Sequence, residues 1–302
     1  MGYRFRWVLV ARRKGGLLEA IAQRREVALH VRVGCAFEYE FERATPAVFL
    51  VRPEDGGGHH VIREQWATLP DAIYHDYTDL FGNACRRLTL PEGSVSVHYD
   101  ATVQTSSQLD AVDWNAEQHL VQDLPDDVLV YTLPSRYCLS DVLGDHAMRL
   151  FGSAPRGRGC VQAICDWVHA HVSFIAGTST PLTTAVDVFE SGRGVCRDYA
   201  HLAITFCRAM SIPARYVCGY LPDIDVSPPY PPMDFCAWFE AYLGGMWWTF
   251  DPRNNEQRKG RIRIALGRDA LDVATVTTYG ASQFKAMSVW ADEVSDGGTS
   301  AR

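Results

Sequence analysis

The sequence predicts an α+β protein in which an antiparallel, β-sandwich-like region precedes a mixed α+β core. Over residues 27–110, apolar side chains recur at every second position, which is the period of a half-buried strand. From about residue 139 the apolar spacing changes to three and four, the period of an amphipathic helix. An acidic, turn-rich segment over residues 111–138 separates them as a linker. A chain of 302 residues is long enough to bury a core in both regions.

The strand pattern of the first region is clearest near its two ends. Residues 27–51 alternate between apolar and polar side chains, and residues 95–103 repeat the alternation. Turn-forming residues lie between them at 55–58 and 81–83. We therefore expect several short antiparallel strands that pack as a sandwich.

The second region, residues 139–288, is predicted to contain four helices followed by three strands. The helices are expected at residues 139–151, 158–172 and 183–190, and from Cys196 for about 15 residues. The strands are expected at residues 214–220, 236–242 and 246–250. The last two strands would form a hairpin at Gly244-Gly245.

Two terminal segments differ in composition from these regions. Residues 1–26 are predicted to be a basic extension, and their apolar run at residues 7–11 is too short for a signal-peptide core. Residues 289–302 are rich in Gly, Ser and Asp, which indicates a disordered tail. No stretch reaches the roughly 18 apolar residues of a membrane span, so we expect no membrane partner.

Charge and cysteine content limit the partners and the compartment. The formal net charge of −7 argues against nucleic-acid binding. Nine cysteines, an odd number with no CxxC pair, favour free thiols in a reducing cytoplasm. The sequence does not indicate an oligomeric state.

Cys196 is the strongest candidate for a nucleophile. The first turn of a helix stabilises a thiolate through unpaired N–H groups, and the glycines of Gly192-Arg193-Gly194 allow a substrate to approach closely. Asp251 follows an aromatic strand, where a carboxylate is costly unless it is paired, so it could orient a base. The alternatives are a buried helix cysteine and a turn-capping aspartate.

Four ordered segments of the second region resemble the bacterial transglutaminase-like superfamily. They are residues 194–203, 212–220, 237–242 and 248–252. A looser similarity extends from Asp76 to about Tyr279. The resemblance implies a papain-like core, a Cys–His–Asp triad, thioester chemistry on amides and no cofactor. It identifies Cys196 as the nucleophile and Asp251 as the triad acid.

The sequence departs from this family at the triad histidine, because Cys236 stands immediately before the Ala-Trp segment. A thiol has a pKa near 8.5 against about 6.5 for imidazole, and it carries only one proton. It cannot bridge Asp251 and Cys196 as an imidazole would. Since losing a triad member costs orders of magnitude in rate, the standard route of amide hydrolysis is in question.

Other histidines are poor replacements. His201 lies five residues after Cys196 on the predicted helix, and therefore points about 140° away from it. His169 and His171 belong to an earlier helix that nothing in the sequence brings to Cys196. We expect none of the three to act as the base.

Five further residues are candidates for contacting the substrate. They are Thr178, Ser179, Thr180, Arg197 and Trp238. The first three resemble a family segment beside the cleft, and Arg197 follows the nucleophile. The alternative interpretations are an ordinary loop, an exposed helix residue and a core tryptophan.

Three functions remain open. The first is a cysteine acyltransferase or hydrolase acting on a small-molecule or peptide acyl substrate, and a thioester would need the least help from a base. The second is a two-thiol acid/base or metal enzyme in which Cys196, Cys236 and Asp251 hold Zn or Fe with a fourth ligand, or in which the thiols form a redox-sensitive disulfide. The third is a non-catalytic binding protein, or a variant whose histidine was replaced by cysteine.

Overall fold

Strands dominate the first third of the chain and helices the middle, as the change in apolar period predicts. A computed structural model describes residues 28–228, 230 and 232–294. The predicted basic extension lies outside the described residues, as does the predicted tail beyond residue 294. In chain order the elements are β1 (Ala28–Phe41), β2 (Thr45–Phe49), β3 (His60–Leu69), β4 (Tyr74–Thr78), β5 (Ala84–Leu90), β6 (Gly93–Ser106), α1 (Gly144–Phe151), α2 (Arg158–His171), β7 (Ser173–Phe174), α3 (Ala185–Ser191), β8 (Arg193–Gly194), α4 (Cys196–Ala209), β9 (Ala214–Tyr220), β10 (Cys236–Leu243), β11 (Met246–Phe250), β12 (Ile262–Gly267), β13 (Val276–Thr278) and β14 (Ser282–Glu293).

Two antiparallel four-stranded sheets form the predicted sandwich. Their strand orders are β14-β1-β6-β3 and β13-β2-β5-β4. In β6 the residues Val95, Val97, Tyr99, Ala101 and Val103 are all buried, because every second side chain of a strand faces the same side. The sheets meet through aromatic side chains: the ring centroids of Phe37 in β1 and Phe49 in β2 lie 5.9 Å apart.

The end of the chain returns to this sandwich, which corrects two predicted boundaries. β14 pairs with β1 up to Val31↔Glu293, and β13 pairs with β2. The disordered tail predicted for residues 289–302 therefore begins too early, since Val289 and Ala291 are buried in β14. The predicted core over residues 139–288 ends too late for the same reason. Pairing with strands more than 200 residues away leaves no local signal in the sequence.

The second region surrounds one buried helix. α4 packs on β9 and β10 of a sheet with the order β11-β10-β9-β12, and the other three helices lie against it. Residues 198–208 of α4 are all buried, because the helix has neighbours on every side. The predicted helix over residues 139–151 is shorter than expected and starts at Gly144. No helix in the described part of the chain is long and apolar enough to cross a membrane.

Residues 107–143, which we call the strap, connect the two regions without regular structure except for two short 3-10 helices, Val121–Asp123 and Leu129–Thr132. The predicted linker lies within it. The strap is fastened to the core: the N–H of Arg158 donates to the carbonyl of Ala116 at 3.0 Å, and the N–H of Gly244 donates to the carbonyl of Glu117 at 2.8 Å. It therefore runs along the core as an ordered segment.

The sandwich and the helical region share one hydrophobic core. The Tyr220 hydroxyl at the end of β9 donates to the carbonyl oxygen of Val51 at 2.9 Å. The Phe235 ring lies 6.2 Å from the ring of Phe37 and 5.5 Å from that of Tyr220. Because Phe235 directly precedes Cys236, the sandwich supports the strand that carries the second thiol.

Candidate active site

Cys196 is the first residue of α4, as predicted, and is half-buried. The Asp198 carboxylate closes this helix start by accepting the N–H of Val195 at 2.7 Å. A Cβ atom on Gly194 would lie only 2.7 Å from the Cβ of Asp198, so the close packing of Asp198 at this helix start requires a glycine there. The local sequence thus fixes both the thiol's position and an N-terminal helix environment that favours a thiolate.

The Cys196 thiol is in hydrogen-bonding contact with Cys236. The pKa of Cys196 is lowered, first by the hydrogen bond from the Cys236 side chain, and burial opposes this effect. The positive charge of Arg253 and the backbone N–H of Ala237 lower the pKa further. The Sγ atom of Cys196 also lies 3.8 Å from the carbonyl oxygen of Phe235. The carbonyl oxygen of Phe235 and the negative charge of Asp234 oppose the thiolate, so the lowered pKa of Cys196 depends on Cys236, Arg253 and the N–H of Ala237.

The surroundings of Cys236 favour its protonated thiol. It is the first residue of β10, pairs with Gly219 of β9, and is buried. Its pKa is raised well above the usual range by the hydrogen bond to Cys196, by burial, and by the negative charges of Cys196 and Asp251. Of the two thiols, Cys196 is therefore the more acidic and Cys236 the less acidic.

Asp251 follows β11, and its carboxylate is surrounded by donors. The Nη2 atom of Arg261 lies 2.9 Å from Oδ2 in a buried ion pair. Asn254 Nδ2 donates to the same oxygen at 2.8 Å, and the N–H groups of Arg253 and Asn254 donate to Oδ1 at 3.1 Å each. The carboxylate acts on Cys236 through its charge, and it is held by a guanidinium where the family pattern implies an imidazole.

Arg261 is a site residue that the sequence analysis missed. Its Nε atom donates to Asp110 Oδ2 at 2.8 Å, its guanidinium carbon lies 5.1 Å from the centre of the Trp238 ring, and its charge acts on Cys236. In the sequence it stands in the basic run 258–263, which looks like an ordinary solvated loop. Only the path of the chain after Asp251 brings it back to the carboxylate.

The predicted substrate segment lies beside the start of α4. The Ser179 hydroxyl donates to the Asp198 carboxylate, and Arg197 Nη2 donates to the carbonyl oxygen of Thr180 at 2.9 Å. The Thr178 hydroxyl donates to the carbonyl of Ile175 at 2.8 Å, and the side chain of Thr178 is exposed. These contacts place Arg197 and all three predicted loop residues at one edge of the site.

Trp238 does not share that position. Its side chain is 2% exposed and packs over Gly219 and against Arg261. The protein covers most of the ring, whose remaining surface lines a cavity with His59 and Arg263, and the substrate contact of Trp238 stays a prediction. The ring lies against the guanidinium that is paired with Asp251.

The three histidines considered as replacement bases are occupied elsewhere. His201 is fully buried, its Nε2 accepts the N–H of Ala270 at 3.1 Å, and burial lowers its pKa well below the usual range. His169 Nδ1 lies 2.9 Å from the carbonyl oxygen of Arg253, and His171 Nε2 lies 2.8 Å from that of Phe189. The ring-nitrogen contacts of all three histidines within the described residues are with backbone groups and not with a thiol.

The donor set does not match the metal alternative. Within residues 28–228, 230 and 232–294, no group of three or more His, Cys, Asp and Glu side chains is arranged to hold a metal ion. Two thiols are adjacent, but the oxygens of Asp251 are engaged by Arg261, Asn254 and the N–H of Arg253. The nine cysteines are all free thiols.

A central helix that presents a cysteine from its first residue to an antiparallel sheet, with a buried aspartate after the neighbouring hairpin, is the core of a papain-like cysteine enzyme. Comparison with known proteins identifies the family within this class. Residues 147–252 match the transglutaminase-like superfamily. A solved structure of a candidate cysteine protease from Cytophaga hutchinsonii is 33% identical, with a TM-score of 0.81 over 90% of this chain and 93% of that chain. The chain belongs to the transglutaminase-like superfamily.

Mycobacterial relatives extend this similarity. An uncharacterized protein of Mycobacterium leprae is 29% identical over 256 residues, which cover 78% of this chain and 88% of the relative. An uncharacterized protein of Mycobacterium tuberculosis is 30% identical over 126 residues, which cover 37% of this chain and 39% of the relative. The first similarity spans both regions of the fold.

Proposed function

We propose that this chain is a cysteine enzyme in which the Cys196 thiolate attacks the acyl carbon of a thioester, ester or amide. The hydrogen bond that Cys236 donates to Cys196 at the start of α4 carries the proposal. It lowers the pKa of Cys196 and raises that of Cys236, so that one thiol is a nucleophile and the other keeps its proton.

The same pair of thiols supports an order of substrate preference. Attack by Cys196 forms an acyl–sulfur bond and expels the leaving group. A thiolate departs without a proton, whereas an amine must receive one. Cys236 is a weak acid because its pKa is raised, and it has no second site through which to relay a proton. We therefore propose that thioesters react fastest, esters next and amides slowest, and that no cofactor takes part.

The acyl substrate, a small molecule or a peptide, would enter beside residues 178–180. Thr178 and Thr180 are exposed there, and Arg197 connects this segment to the nucleophile's helix. Transfer of the acyl group to an amine or alcohol would give an acyltransferase, and transfer to water a hydrolase. Free thiols throughout the described chain fit a cytoplasmic location.

A direct test is to trap the acyl-enzyme with S-phenyl thioacetate and locate the acetyl group by peptide mass spectrometry. We expect one acetyl group on Cys196, none there in Cys196→Ala, and slower labelling in Cys236→Ala. Cys218→Ala is the matched control, because this thiol lies on the neighbouring strand β9 and its pKa is raised to about 12, chiefly by burial. Labelling spread evenly over several cysteines, or full labelling of Cys196→Ala, would refute the proposal.

The opposite pKa directions also favour a second candidate, a two-thiol enzyme that moves a proton at carbon. The Cys196 thiolate would accept a proton from a carbon acid and Cys236 would return one. That reaction needs the substrate carbon between the sulfurs, whereas here the thiols contact each other, so we rank it second. In Cys236→Ala, deuterium exchange at carbon should be abolished, while acylation of Cys196 should only slow.

A further inference from the structure

Arg158, the first residue of α2, is a largely buried cation, and two of its guanidinium nitrogens have no acceptor in the described part of the chain. The residue is 5% exposed, and its Nε and Nη1 atoms are buried with no acceptor among the residues that the structure describes. Burial lowers its pKa. An unpaired buried charge is costly, and buried cations in proteins normally face a carboxylate or several carbonyl oxygens.

The other buried arginines in the described chain have such partners. Arg261 bonds two carboxylates, those of Asp110 and Asp251. Arg208 donates to several carbonyl oxygens, among them that of Ala214 at 2.8 Å, and Arg258 donates to a carbonyl oxygen at 3.1 Å. Arg258 and Arg261 each leave one buried nitrogen without an acceptor, whereas Arg158 leaves two and has no side-chain hydrogen bond within the described residues.

Two aromatic rings flank Arg158, while Asp113 acts on it through its charge without a hydrogen bond. Its guanidinium carbon lies 5.1 Å from the centre of the Trp114 ring and 4.6 Å from that of Phe250. Rings stabilise the cation through their faces, and this interaction does not use the in-plane N–H donors. The guanidinium is thus held in place while its donors remain available.

Arg158 lines a cavity of about 330 Å³. Trp114, Phe250, Gln162 and Asn255 also line it, and Asp251 forms part of the wall, but neither Cys196 nor Cys236 does. This volume lies at the lower end of small-ligand pockets. The cavity is therefore separate from the thiol pair and touches the active site only at Asp251.

We propose that this cavity binds a small monocarboxylate, whose oxygens accept hydrogen bonds from Arg158 and whose apolar part lies against Trp114. A planar guanidinium matches a carboxylate in two parallel hydrogen bonds. The wall also contains Asp110, Asp251 and Glu256, which repel a doubly charged phosphate more strongly than a singly charged carboxylate. The proposal goes beyond the acyl chemistry and does not require the thiols.

The test measures the binding of benzoate, with inorganic phosphate as the comparison ligand. Binding is detected by shifts of the indole resonances in heteronuclear NMR and by calorimetry. We expect saturable binding of benzoate that shifts the indole N–H of Trp114, and weaker binding of phosphate. In Arg158→Gln the affinity should fall by about tenfold or more, because a charged hydrogen-bonding pair is lost. Arg156→Gln, a nearby exposed arginine, should bind like the unaltered protein.

Two further variants keep the test decisive if Arg158→Gln folds poorly. Trp114→Ala removes a side chain that is 74% exposed, so the fold should persist while benzoate affinity falls severalfold. Cys196→Ala should bind benzoate normally, which separates this proposal from the acyl chemistry. Absence of saturable benzoate binding, undiminished affinity in Arg158→Gln, or tighter binding of phosphate than of benzoate would overturn the proposal.

Discussion

At Cys196 three neighbours lower the pKa of the thiol, and burial and the charge of Asp234 work against them. An imidazole at position 236 would give a hydrogen bond to the nucleophile and a second one to the acid. The Cys236 thiol can give only the first, so Asp251 needs another donor, and Arg261 supplies it at 2.9 Å. In the proposed site, Cys236 and Arg261 would together make the two hydrogen bonds that an imidazole would make.

Replacing Cys236 by Ala should raise the pKa of Cys196, because it removes the largest contribution that lowers it. The rate of alkylation by iodoacetamide follows the thiolate fraction, so its midpoint should move to higher pH. Peptide mass spectrometry across a pH series measures this midpoint for Cys196 alone. Cys218→Ala should leave the midpoint in place, and an unchanged or lower midpoint in Cys236→Ala would contradict the assignment.

Replacing Cys236 by His should restore little hydrolysis by itself. A carboxylate has about four acceptor sites, and those of Asp251 receive four hydrogen bonds, two of them from Asn254. An added imidazole would therefore find no free site for orientation. Removing the Asn254 amide frees one site, so Cys236→His with Asn254→Ala should hydrolyse an activated ester faster than Cys236→His.

The matched control for that comparison is Asn254→Ala with Cys236 retained, which should show no such gain. p-Nitrophenyl acetate turnover after the initial burst is the measurement. If Cys236→His were already as active as the double variant, Asp251 would be free to orient an imidazole despite Arg261. That result would favour a replaced triad histidine over a two-thiol site.

The positions of Cys196, Cys236 and Asp251 could be predicted because each lies in a short segment with a recognisable neighbourhood. Arg261 could not, because its contact with Asp251 depends on the course of the intervening loop. The 2% exposure of Trp238 could not be predicted either, because an aromatic residue looks the same in a sequence whether it faces a cavity or the core. The strand register decides between these positions.

Among the elements, the start of α4 does the most to position Cys196, the proposed nucleophile. Asp198 is 1% exposed and accepts hydrogen bonds from Val195 and Ser179, so one carboxylate orders both the first helical turn and the segment beside it. Its role is structural, because it contacts no thiol in the described contacts. Asp198 thus connects the first turn of α4 to residues 178–180, the proposed substrate segment.

Asp198→Ala should lower the free energy of unfolding by about 1–3 kcal/mol, because a cap is lost and buried donors are left without an acceptor. It should also slow alkylation of Cys196, since the first turn and residues 178–180 lose their common anchor. Urea denaturation and the alkylation rate measure the two effects. Asp187→Ala is the control, because Asp187 caps α3 in a capping box with Thr184.

The control should lose about 0.5–2 kcal/mol of stability and leave Cys196 reactivity unchanged. Equal slowing of alkylation in Asp187→Ala would mean that general destabilisation is responsible. The effect would then say nothing specific about the start of α4.

Most strands and helices could be predicted because their signal is local. β9 and β11 have the predicted bounds, and α4 starts at the predicted residue. β13 and β14 were missed because a strand that completes a distant sheet needs only a short alternation, and here its final residues merge with a polar tail. Their pairing partners are β1 and β2, near the other end of the chain, so no nearby residue indicates these strands.

At the scale of the whole molecule, the sandwich and the helical region should unfold together. Tyr220 is fully buried, and its hydroxyl bonds the carbonyl of Val51 across the boundary. Tyr220→Phe should cost about 1–3 kcal/mol, because the carbonyl oxygen is left buried without its donor. Tyr279→Phe, at a side chain that is 67% exposed, should cost almost nothing.

Urea denaturation followed by far-UV circular dichroism and by tryptophan fluorescence gives the stabilities and tests cooperativity. Coincident curves are expected for the unaltered protein and for both variants. Two separated transitions would mean that the shared core does not couple the regions.

The contacts of the strap with the core should protect it from limited proteolysis. An acidic, irregular segment between two regions is where limited proteolysis is usually aimed. Here the carbonyls of Ala116 and Glu117 are engaged by the core, and a protease needs a locally unfolded stretch of backbone in its cleft. Cleavage in the strap should therefore be slow. A chain cut there should still migrate as one particle, because the two regions share one hydrophobic core.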